Sequence, residues 1–542
     1  MKNYIWLFVS LLALFILPVT AFGHASILSS NPSPNESLDT IPEKISIQFS
    51  ETIQSSFHSL AMYSKEGKEI PLQDIQVSGD TLEATWSSSF DEGVYIIKWR
   101  VVSSDGHPIK GTIPFQYGES NIPSDQLIGE EHAGFPSTTQ IVLQSLQYLC
   151  FAALTGALFF YLSLVKRPTP DQISNRARRY IWLSYTGLAI SILLSLPLKV
   201  TIDADVGWWH AFNGIYLKEV LQSTQFRNIW MIEIVLLIAL LVAILAIWRN
   251  YFNKVSLLTS FILISALMVC KALIGHTMDT THQYLAVSMD FLHVMSMALW
   301  LGGLLAILII LPKSYNPKLT DVDKKTFYWS IIQKFSSWAV LFVIVLIVSG
   351  LYSSFQHVPT LHSLLNTTYG QLLLGKIGLM SIMLGFGAFH LLRGKRKTKK
   401  LGLSTGIEFS LGIIILLIAA LLTNVQTAKS SPGPVEKTEM TENNDQVTLS
   451  VTPNEIGENL IQVELINNEG IPYTDIEQLT VVMEPLDEDT GEVKLHLQEE
   501  EKGIFKTKSL ITMSGKWKIQ VHGLTKELHS IDADFVILVG NS

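Results

Sequence analysis

The feature that most constrains this chain is a long apolar middle, residues 138–425, between polar regions at 24–135 and 430–542. The middle breaks into eight apolar runs, each long enough to cross about 30 Å of hydrocarbon. Charged residues make up only 16% of the chain, whereas an average soluble protein has about 25%. The sequence therefore predicts a membrane bundle with a soluble region at each end. The predicted spans lie near 139–165, 180–200, 229–248, 256–275, 285–312, 332–356, 370–392 and 405–424.

The basic residues between the spans predict the orientation. One set of connections is rich in Lys and Arg, for example at 176–179 and 393–400, whereas the opposite set holds only Lys218 and Arg227. Because basic connections stay in the cytoplasm, the protein is predicted to be a multi-pass protein of the cytoplasmic membrane, with the lipid bilayer as a partner and both soluble domains extracytoplasmic. The net charge of -8 argues against nucleic acid as a partner.

Residues 1–23 have the pattern of a signal peptide: Lys2, an apolar run and small residues before a cleavage site. An uncleaved anchor helix is the alternative, although the apolar run is short for a span. Cleavage after Gly23 would make His24 the first residue of the mature chain, and cleavage after Ala25 competes with it. A terminal amine and the imidazole of the same residue form a two-nitrogen chelate, which suits Cu(II).

Residues 24–119 alternate apolar and polar side chains between turn-forming residues, which predicts an antiparallel β-sandwich. A turn near its end places the Asp105 carboxylate and the His107 imidazole two residues apart, and a solvated Asp-Gly turn is the alternative interpretation. Both cysteines, Cys150 and Cys270, lie in apolar runs. Neither soluble region can therefore hold a disulfide scaffold or a thiolate metal site.

Two segments, HASILSSNPSPNESLDTIPEKISIQFSE and EGVYIIKWRVVSSDGHPIKGTIPFQYG, resemble the CopC family of periplasmic copper carriers. The resemblance implies an Ig-like sandwich that binds Cu(II) through three residues: His24, Asp105 and His107. Some members of that family also carry a methionine-rich Cu(I) site, for which this domain offers only Met62. His58 is a further candidate ligand, and a surface histidine is the alternative.

The fifth predicted span carries ionisable and thioether side chains. Met289, His293 and Met297 are spaced by four and share one helix face, with Asp290 beside them. Ionisable residues are costly in a membrane and usually mark a pathway, and methionine favours Cu(I). Alternatively, the methionines fill the core and His293 bonds a neighbouring helix. Together with two histidines in the preceding outer loop, the candidate transport path comprises His276, His282, Met289, Asp290, His293 and Met297.

The membrane region resembles the CopD family of copper-resistance and copper-import proteins. GHTMDTTHQYLAVSMDFLHVMSMALWLGGL and TTYGQLLLGKIGLMSIMLGFGAFHLLR carry the resemblance, and Glu408 fits the family pattern. A CopC-like domain joined to such a bundle is similar to the YcnJ-type fused CopC–CopD copper-uptake proteins. Three other ionisable residues lie near outer ends of spans, where snorkelling is expected: Glu233, Lys271 and Lys376.

Residues 446–541 return to strand patterns and resemble YtkA-like domains, so we expect a second extracytoplasmic β-sandwich. Linkers are expected at 120–137 and 426–445. The histidines of this domain are scattered along the sequence, and ordinary surface and core roles are preferred for them and for two methionines that could join a metal site. These residues are His496, His522, His529, Met483 and Met513.

The leading hypothesis is copper acquisition: the outer domain captures Cu(II) and passes it to the bundle, where Cu(I) is an option. An extracytoplasmic copper chaperone is a candidate partner beside the copper ion. No nucleotide-binding motif indicates an ATP-driven pump. Copper export or resistance is the nearest alternative, followed by a sensor or chaperone receptor. An oxygenase using the His24 chelate is disfavoured, because Asp105 and His107 would complete a four-ligand plane, and we expect the chain not to be an enzyme.

Overall fold

The structure is a computed structural model. It describes residues 27–540 except 34–35, 41, 50–51, 56, 65–67, 87–90, 104–107, 119–136, 166–174, 205, 222–223, 250–252, 274–282, 312–319, 397–401, 442, 487–491, 512–513 and 528. The described chain forms an N-terminal β domain, a helical unit and a C-terminal β domain.

The N-terminal domain consists of two sheets with the strand orders β1-β3-β7-β6 and β2-β9-β8-β4-β5. Its strands are β1 (Ile27–Asn31), β2 (Ser37–Leu38), β3 (Lys44–Phe49), β4 (Ser59–Ser64), β5 (Glu69–Ile70), β6 (Leu72–Ser78), β7 (Thr81–Trp86), β8 (Gly93–Val102) and β9 (Pro108–Tyr117). Strand β3 alternates exposed and buried residues, and the buried ones, Ile45, Ile47 and Phe49, enter the core. Phe49 meets Trp99 of the other sheet at 5.2 Å between ring centroids. The predicted β-sandwich is confirmed.

The helical unit contains the membrane-spanning helices. The helices of the described chain are α1 (Thr138–Phe159), α2 (Asn175–Leu193), α3 (Ser195–Asp203), α4 (Gly214–Val220), α5 (Thr224–Arg249), α6 (Lys254–Leu273), α7 (Gln283–Ile309), α8 (Asp321–His357), α9 (Leu361–Asn366), α10 (Thr368–Arg396) and α11 (Gly402–Leu422). Eight helical segments of the described residues are long and apolar enough to cross a membrane: α1 with its π-helical end, α2 with α3, and then α5, α6, α7, α8, α10 and α11. The prediction of eight spans is confirmed.

Helices α1 and α7 cross closely at two glycines. The backbones of Gly156 and Gly302 are in contact, and a Cβ atom on Gly302 would overlap the carbonyl oxygen of Ala152. A Cβ on the next residue, Gly303, would overlap the ring of Phe335 on α8. Small residues let membrane helices approach in this way. The two glycines of the segment Trp300-Leu301-Gly302-Gly303 are therefore explained by close helix packing.

The C-terminal domain also has two sheets, ordered β10-β11-β12-β16-β15 and β14-β13-β17-β18. Its strands are β10 (Val435–Met440), β11 (Gln446–Thr452), β12 (Gly457–Ile466), β13 (Ile476–Pro485), β14 (Val493–His496), β15 (Gln498–Glu501), β16 (Ile504–Ile511), β17 (Gly515–Thr525) and β18 (Ser530–Val539). The inward side chains of both sheets, such as Val463 and Trp517, form one apolar core. This second β domain is confirmed.

The C-terminal sheet begins earlier than the sequence predicts. Strand β10 pairs with β11 along its whole length, yet it lies within 426–445, which we expected to be a linker. Five of its six residues are exposed. An edge strand of this kind lacks the apolar alternation by which strands are found in a sequence, so this expectation is corrected.

Candidate functional site

The N-terminal domain brings the start of its first strand and the β8–β9 connection to the same end. Ile27 pairs with Phe49, and the backbone N–H groups of Phe49 and Ile53 both donate to the turn between β6 and β7. Ile53 in turn forms a β-bridge with Ser103, directly after β8. Val102 then pairs with Pro108 at the start of β9. The three predicted ligands of this domain lie outside the described residues: His24, Asp105 and His107.

The two secondary candidates of the N-terminal domain have structural surroundings. Met62 is fully buried in the sandwich core, so its thioether is not presented to solvent. The Nδ1 atom of His58 lies 3.0 Å from the Ser55 carbonyl oxygen, which can only accept. Nδ1 therefore carries the proton in this contact. Met62 therefore belongs to the core, and His58 is half-buried with an Nε2 atom that this contact does not use.

His293 lies on α7 against α8. Its Nδ1 atom is 2.9 Å from the Ser349 hydroxyl oxygen, and that hydroxyl lies 2.6 Å from the Val345 carbonyl oxygen. The carbonyl can only accept, so the single hydroxyl proton goes to it, and Nδ1–H donates to Ser349. Nε2 of the neutral imidazole then keeps its lone pair. Gly350 makes room for the ring, because a Cβ there would already touch Cε1 at 3.4 Å.

The geometry of His293 is compatible with both sequence interpretations and does not decide between them. The imidazole bonds a neighbouring helix, as a structural role requires. It also has the arrangement of a metal-ligating histidine, in which one ring nitrogen donates to a fixed oxygen and the other carries a lone pair.

Asp290 belongs to a group of four ionisable side chains from four helices. It interacts electrostatically with Lys271 on α6 and Lys376 on α10. Lys271 also interacts with Glu233 on α5, which is only 3% exposed. The Lys271 ammonium lies 5.9 Å from the centre of the Tyr148 ring on α1. Two acids and two bases thus lie within electrostatic range near one end of the bundle, and their formal charges sum to zero.

This charged group corrects the expectation that Glu233, Lys271 and Lys376 snorkel. Each is buried or half-buried within the helical unit and interacts with an opposite charge. Pairing lowers the large cost of placing a charge in an apolar interior. The sequence held one signal for this group: the side chains lie near the same end of their spans once the spans alternate in direction.

Of the other residues of the candidate transport path, the two methionines lie in the described structure and the two histidines do not. Met297 packs against the buried core of the bundle, and Met289 is half-buried one helical turn before His293. His276 and His282 lie outside the described residues. Within the part of the chain that the structure describes, no three His, Cys, Asp or Glu side chains are grouped closely enough to hold a metal ion.

Polar side chains of α1 continue from the charged group to the end of the bundle. Gln144, one turn before Tyr148, donates to the Asn424 side chain over 3.1 Å and accepts from the Thr423 hydroxyl over 3.0 Å. Gln140, another turn away, also bonds Asn424. These hydrogen bonds join α1 to the two residues that directly follow α11.

The other half of the bundle contains a cavity of about 200 Å³. Its lining is mainly apolar and includes Trp300 and Phe335, with Ser336, Thr405 and Glu408 as the polar members. Glu408 is 1% exposed. The carboxyl that fits the CopD pattern therefore lies inside the bundle and borders a cavity.

Comparison with known proteins assigns the domains. Residues 27–118 match the CopC domain family, residues 135–283 match the N-terminal domain of copper resistance protein D-like proteins, and residues 329–422 match copper resistance protein D. The chain is 32% identical to the copper transport protein CutJ of Bacillus subtilis (strain 168), over 99% of both chains. It is 30% identical to copper resistance protein C of Xanthomonas campestris pv. juglandis, over 20% of this chain and 90% of that protein.

Two solved structures match the N-terminal domain. The CopC of Methylosinus trichosporium OB3b is 21% identical, and the match covers 18% of this chain and 100% of that chain with a TM-score of 0.17. PcoC, a methionine-rich copper resistance protein from Escherichia coli, is 25% identical with the same coverage and TM-score.

The domain order defines a class of protein, in which a CopC domain precedes a CopD-type membrane bundle. The relatives named above are copper transport or copper resistance proteins and not enzymes, in agreement with the sequence. The chain belongs to the family of the copper transport protein CutJ, and it is a multi-pass membrane protein.

Proposed function

We propose that the protein acquires copper, with Cu(II) captured by the outer CopC domain and passed into the membrane bundle. The observation that carries the proposal is His293, a half-buried histidine on α7 whose Nε2 atom keeps its lone pair. Asp290 lies on the same helix. Full-length similarity to a protein named for copper transport supports it. The basic connections predict that both soluble domains lie outside the cytoplasm, where an extracytoplasmic copper chaperone would deliver the ion.

The length of the segment before β1 supports a Cu(II) capture site in the N-terminal domain. His24 precedes Ile27 by three residues, which span at most about 10 Å when extended. Ile27 and Ser103 lie at the same end of the sandwich, so His24 can reach the connection that carries two further ligands. A terminal amine, two imidazoles and a carboxylate suit the square-planar preference of Cu(II). In this proposal the ligands are His24, Asp105 and His107.

The charged group supports a cation path. Lys271 and Lys376 supply the positive charge beside Asp290 when no copper is present. A copper cation at His293 would take over that role, because the imidazole nitrogen and the carboxylate both lie on α7. Thioether donors on the same face favour Cu(I). The proposed path is His276, His282, Met289, Asp290, His293 and Met297.

The test of the path is copper per cell in a deletion strain that carries each variant, normalised to membrane-inserted protein. We expect His293→Ala to abolish copper accumulation at a normal protein level, with Cu(II) binding by the outer domain intact. His276→Ala and His282→Ala should give milder losses, because water or neighbouring groups can replace outer-loop ligands.

The matched control is Ser349→Ala, which removes the hydrogen-bond partner of His293 but keeps the imidazole. It should retain part of the accumulation. Wild-type accumulation by His293→Ala at equal protein level would show that the imidazole only packs.

The test of the capture site is a Cu(II) competition titration of the full chain. His107→Ala should weaken Cu(II) binding by at least about tenfold, since it removes one of few strong ligands, whereas the control His58→Ala should bind normally. N-terminal sequencing should find His24 first. A mature chain that starts at Ser26 would rule out the amine–imidazole chelate.

Copper export or resistance is the second candidate, because two relatives are named copper resistance protein C. The two directions give opposite results in the deletion strain. Acquisition predicts less cell copper under copper limitation when the protein is absent. Export predicts more cell copper, and poorer growth, under copper excess.

A further inference from the structure

The second sheet of the C-terminal domain aligns two histidines that the sequence scatters. His496 of β14 pairs with Thr480 of β13, Thr480 pairs with His522 of β17, and His522 pairs with Asp532 of β18. Cross-strand partners share a face of a sheet. The neighbours Val481 and Val521 are fully buried. The four-residue row therefore crosses the outer face of the sheet.

His522 is oriented by the carboxylate next to it. Its Nδ1 atom lies 2.8 Å from Asp532 Oδ1, and the Ser530 hydroxyl donates to Asp532 Oδ2 over 2.6 Å. The Ser530 hydroxyl, followed by the His522 imidazole, holds the pKa of the Asp532 carboxyl below its ordinary value despite partial burial. A carboxylate only accepts, so Nδ1–H of His522 donates and Nε2 keeps its lone pair.

His496 stands on the other side of Thr480. Its Nδ1 atom is 3.3 Å from the Thr480 hydroxyl oxygen. Two strand spacings, about 9.6 Å, separate the backbones of His496 and His522, and only the short threonine lies between them. Both imidazoles are exposed. Asp532 holds His522 in place, and His496 can turn about its side-chain bonds, so both Nε2 atoms can reach one ion held above Thr480.

We propose that His496 and His522 form a Cu(II) site on the outer face of the C-terminal sheet, binding through Nε2, with Asp532 as the residue that positions His522. An imidazole that donates its other N–H to a carboxylate is the usual arrangement of a metal-ligating histidine. Two protein nitrogens define the site and water completes the coordination. Cu(II) binds nitrogen donors more tightly than other divalent first-row ions, including Zn(II).

This site is independent of the proposed transport path, since it uses none of the residues of the capture site or the bundle. It also differs from a scatter of surface histidines in a testable way. His529 provides the comparison: it is exposed in the same domain, but its Nε2 faces Asn443 at 3.2 Å and Asp445 at 3.8 Å, outside the row.

The experiment is equilibrium dialysis of the full-length protein in detergent against buffered Cu(II), with bound copper counted by mass spectrometry. Wild type should bind one more Cu(II) than the double variant His496→Ala/His522→Ala, and His529→Ala should match wild type. Asp532→Asn should keep the stoichiometry and weaken this one ion by about 10- to 100-fold. Zn(II) in place of copper should bind the same site more weakly.

The proposal is overturned if the double variant binds as much copper as wild type, or if His529→Ala loses the same equivalent. All three histidines are exposed, so folding of the domain is not at risk, and circular dichroism of each variant checks this. His107→Ala should remove a different equivalent. Failure of the capture site and failure of this site are therefore distinguishable in one titration series.

Discussion

The C-terminal β domain and the membrane bundle place ionisable side chains in opposite ways. In the β domain, Lys508 and Glu458 form an ion pair at 2.6 Å with side chains 69% and 48% exposed. In the bundle, Glu233 is almost fully buried and interacts with Lys271, which is itself half-buried. Water screens the first pair, whereas the second must be balanced by protein groups alone. The same chemical groups thus carry very different energetic weight in the two regions.

This difference explains why the bundle holds its charges as a balanced set. A single carboxylate in the membrane interior would be costly, and a single ammonium equally so. Asp290 and Glu233 together with Lys271 and Lys376 sum to no net charge. Such a set can accept a cation only if one of its two lysine ammonium groups moves away or loses its proton. Binding of the cation is therefore coupled to rearrangement of the group.

The largest expected effect follows from removing one member of this set. Lys271→Met leaves Glu233 and Asp290 with one countercharge fewer, and it should destabilise the bundle by about 3–5 kcal/mol. Denaturant unfolding in detergent, followed by tryptophan fluorescence, measures the change. Lys254→Met, on an exposed position of the same helix, is the control and should behave like wild type.

Restoring the charge balance should restore the stability of the bundle. The double variant Glu233→Gln/Lys271→Met removes one charge of each sign and should regain most of the lost stability. A double variant as unstable as Lys271→Met would mean that Lys271 acts through packing rather than charge, and the contrast between the two regions would then be overstated.

A smaller effect is expected at the glycine crossing. Gly302→Ala places a methyl group where the Ala152 carbonyl already lies, so α1 and α7 must separate. Overpacking of this kind should cost about 1–3 kcal/mol in the same unfolding assay. Gly375→Ala on α10 is the matched control, because a Cβ there has no neighbour within 4 Å. Equal stability of the two variants would argue against a packing role for Gly302.

The smallest effect should come from the exposed pair. Lys508→Ala removes an ion pair that solvent and salt already weaken, and it should change the stability of the C-terminal domain by less than about 1 kcal/mol. Hydrogen–deuterium exchange of β12 and β16 reports this locally. A marked rise in exchange that disappears in high salt would show that the surface pair matters more than its exposure indicates.

The sequence predicted the architecture wherever burial leaves a regular pattern. Long apolar runs located the eight spans, and strict alternation in β3 located a core strand. Strands β10 and β16 left no such pattern: β10 is exposed along most of its length, and β16 places Thr507 and Ser509 on its inward side. Both are held by pairing with neighbours, which a single segment does not reveal.

The candidate sites were predictable only in part. Asp290 and His293 are recognisable because they interrupt an apolar helix. Their partners are not, because Lys271, Lys376 and Ser349 come from other helices whose adjacency depends on how the bundle folds. The same holds for the row through His496 and His522, which exists because β13 lies between β14 and β17.

The contact between Gly156 and Gly302 has a mechanical consequence. Two helices that touch backbone to backbone act as one rigid unit, because neither can slide past the other without a collision. His293 and Asp290 both lie on α7, one of these two helices. The helices that face them, α8 and α10, contact α7 through side chains, and α10 is the least buried of the eight spans. If the bundle opens toward one membrane face or the other, we expect these outer helices to move while α1 and α7 stay together.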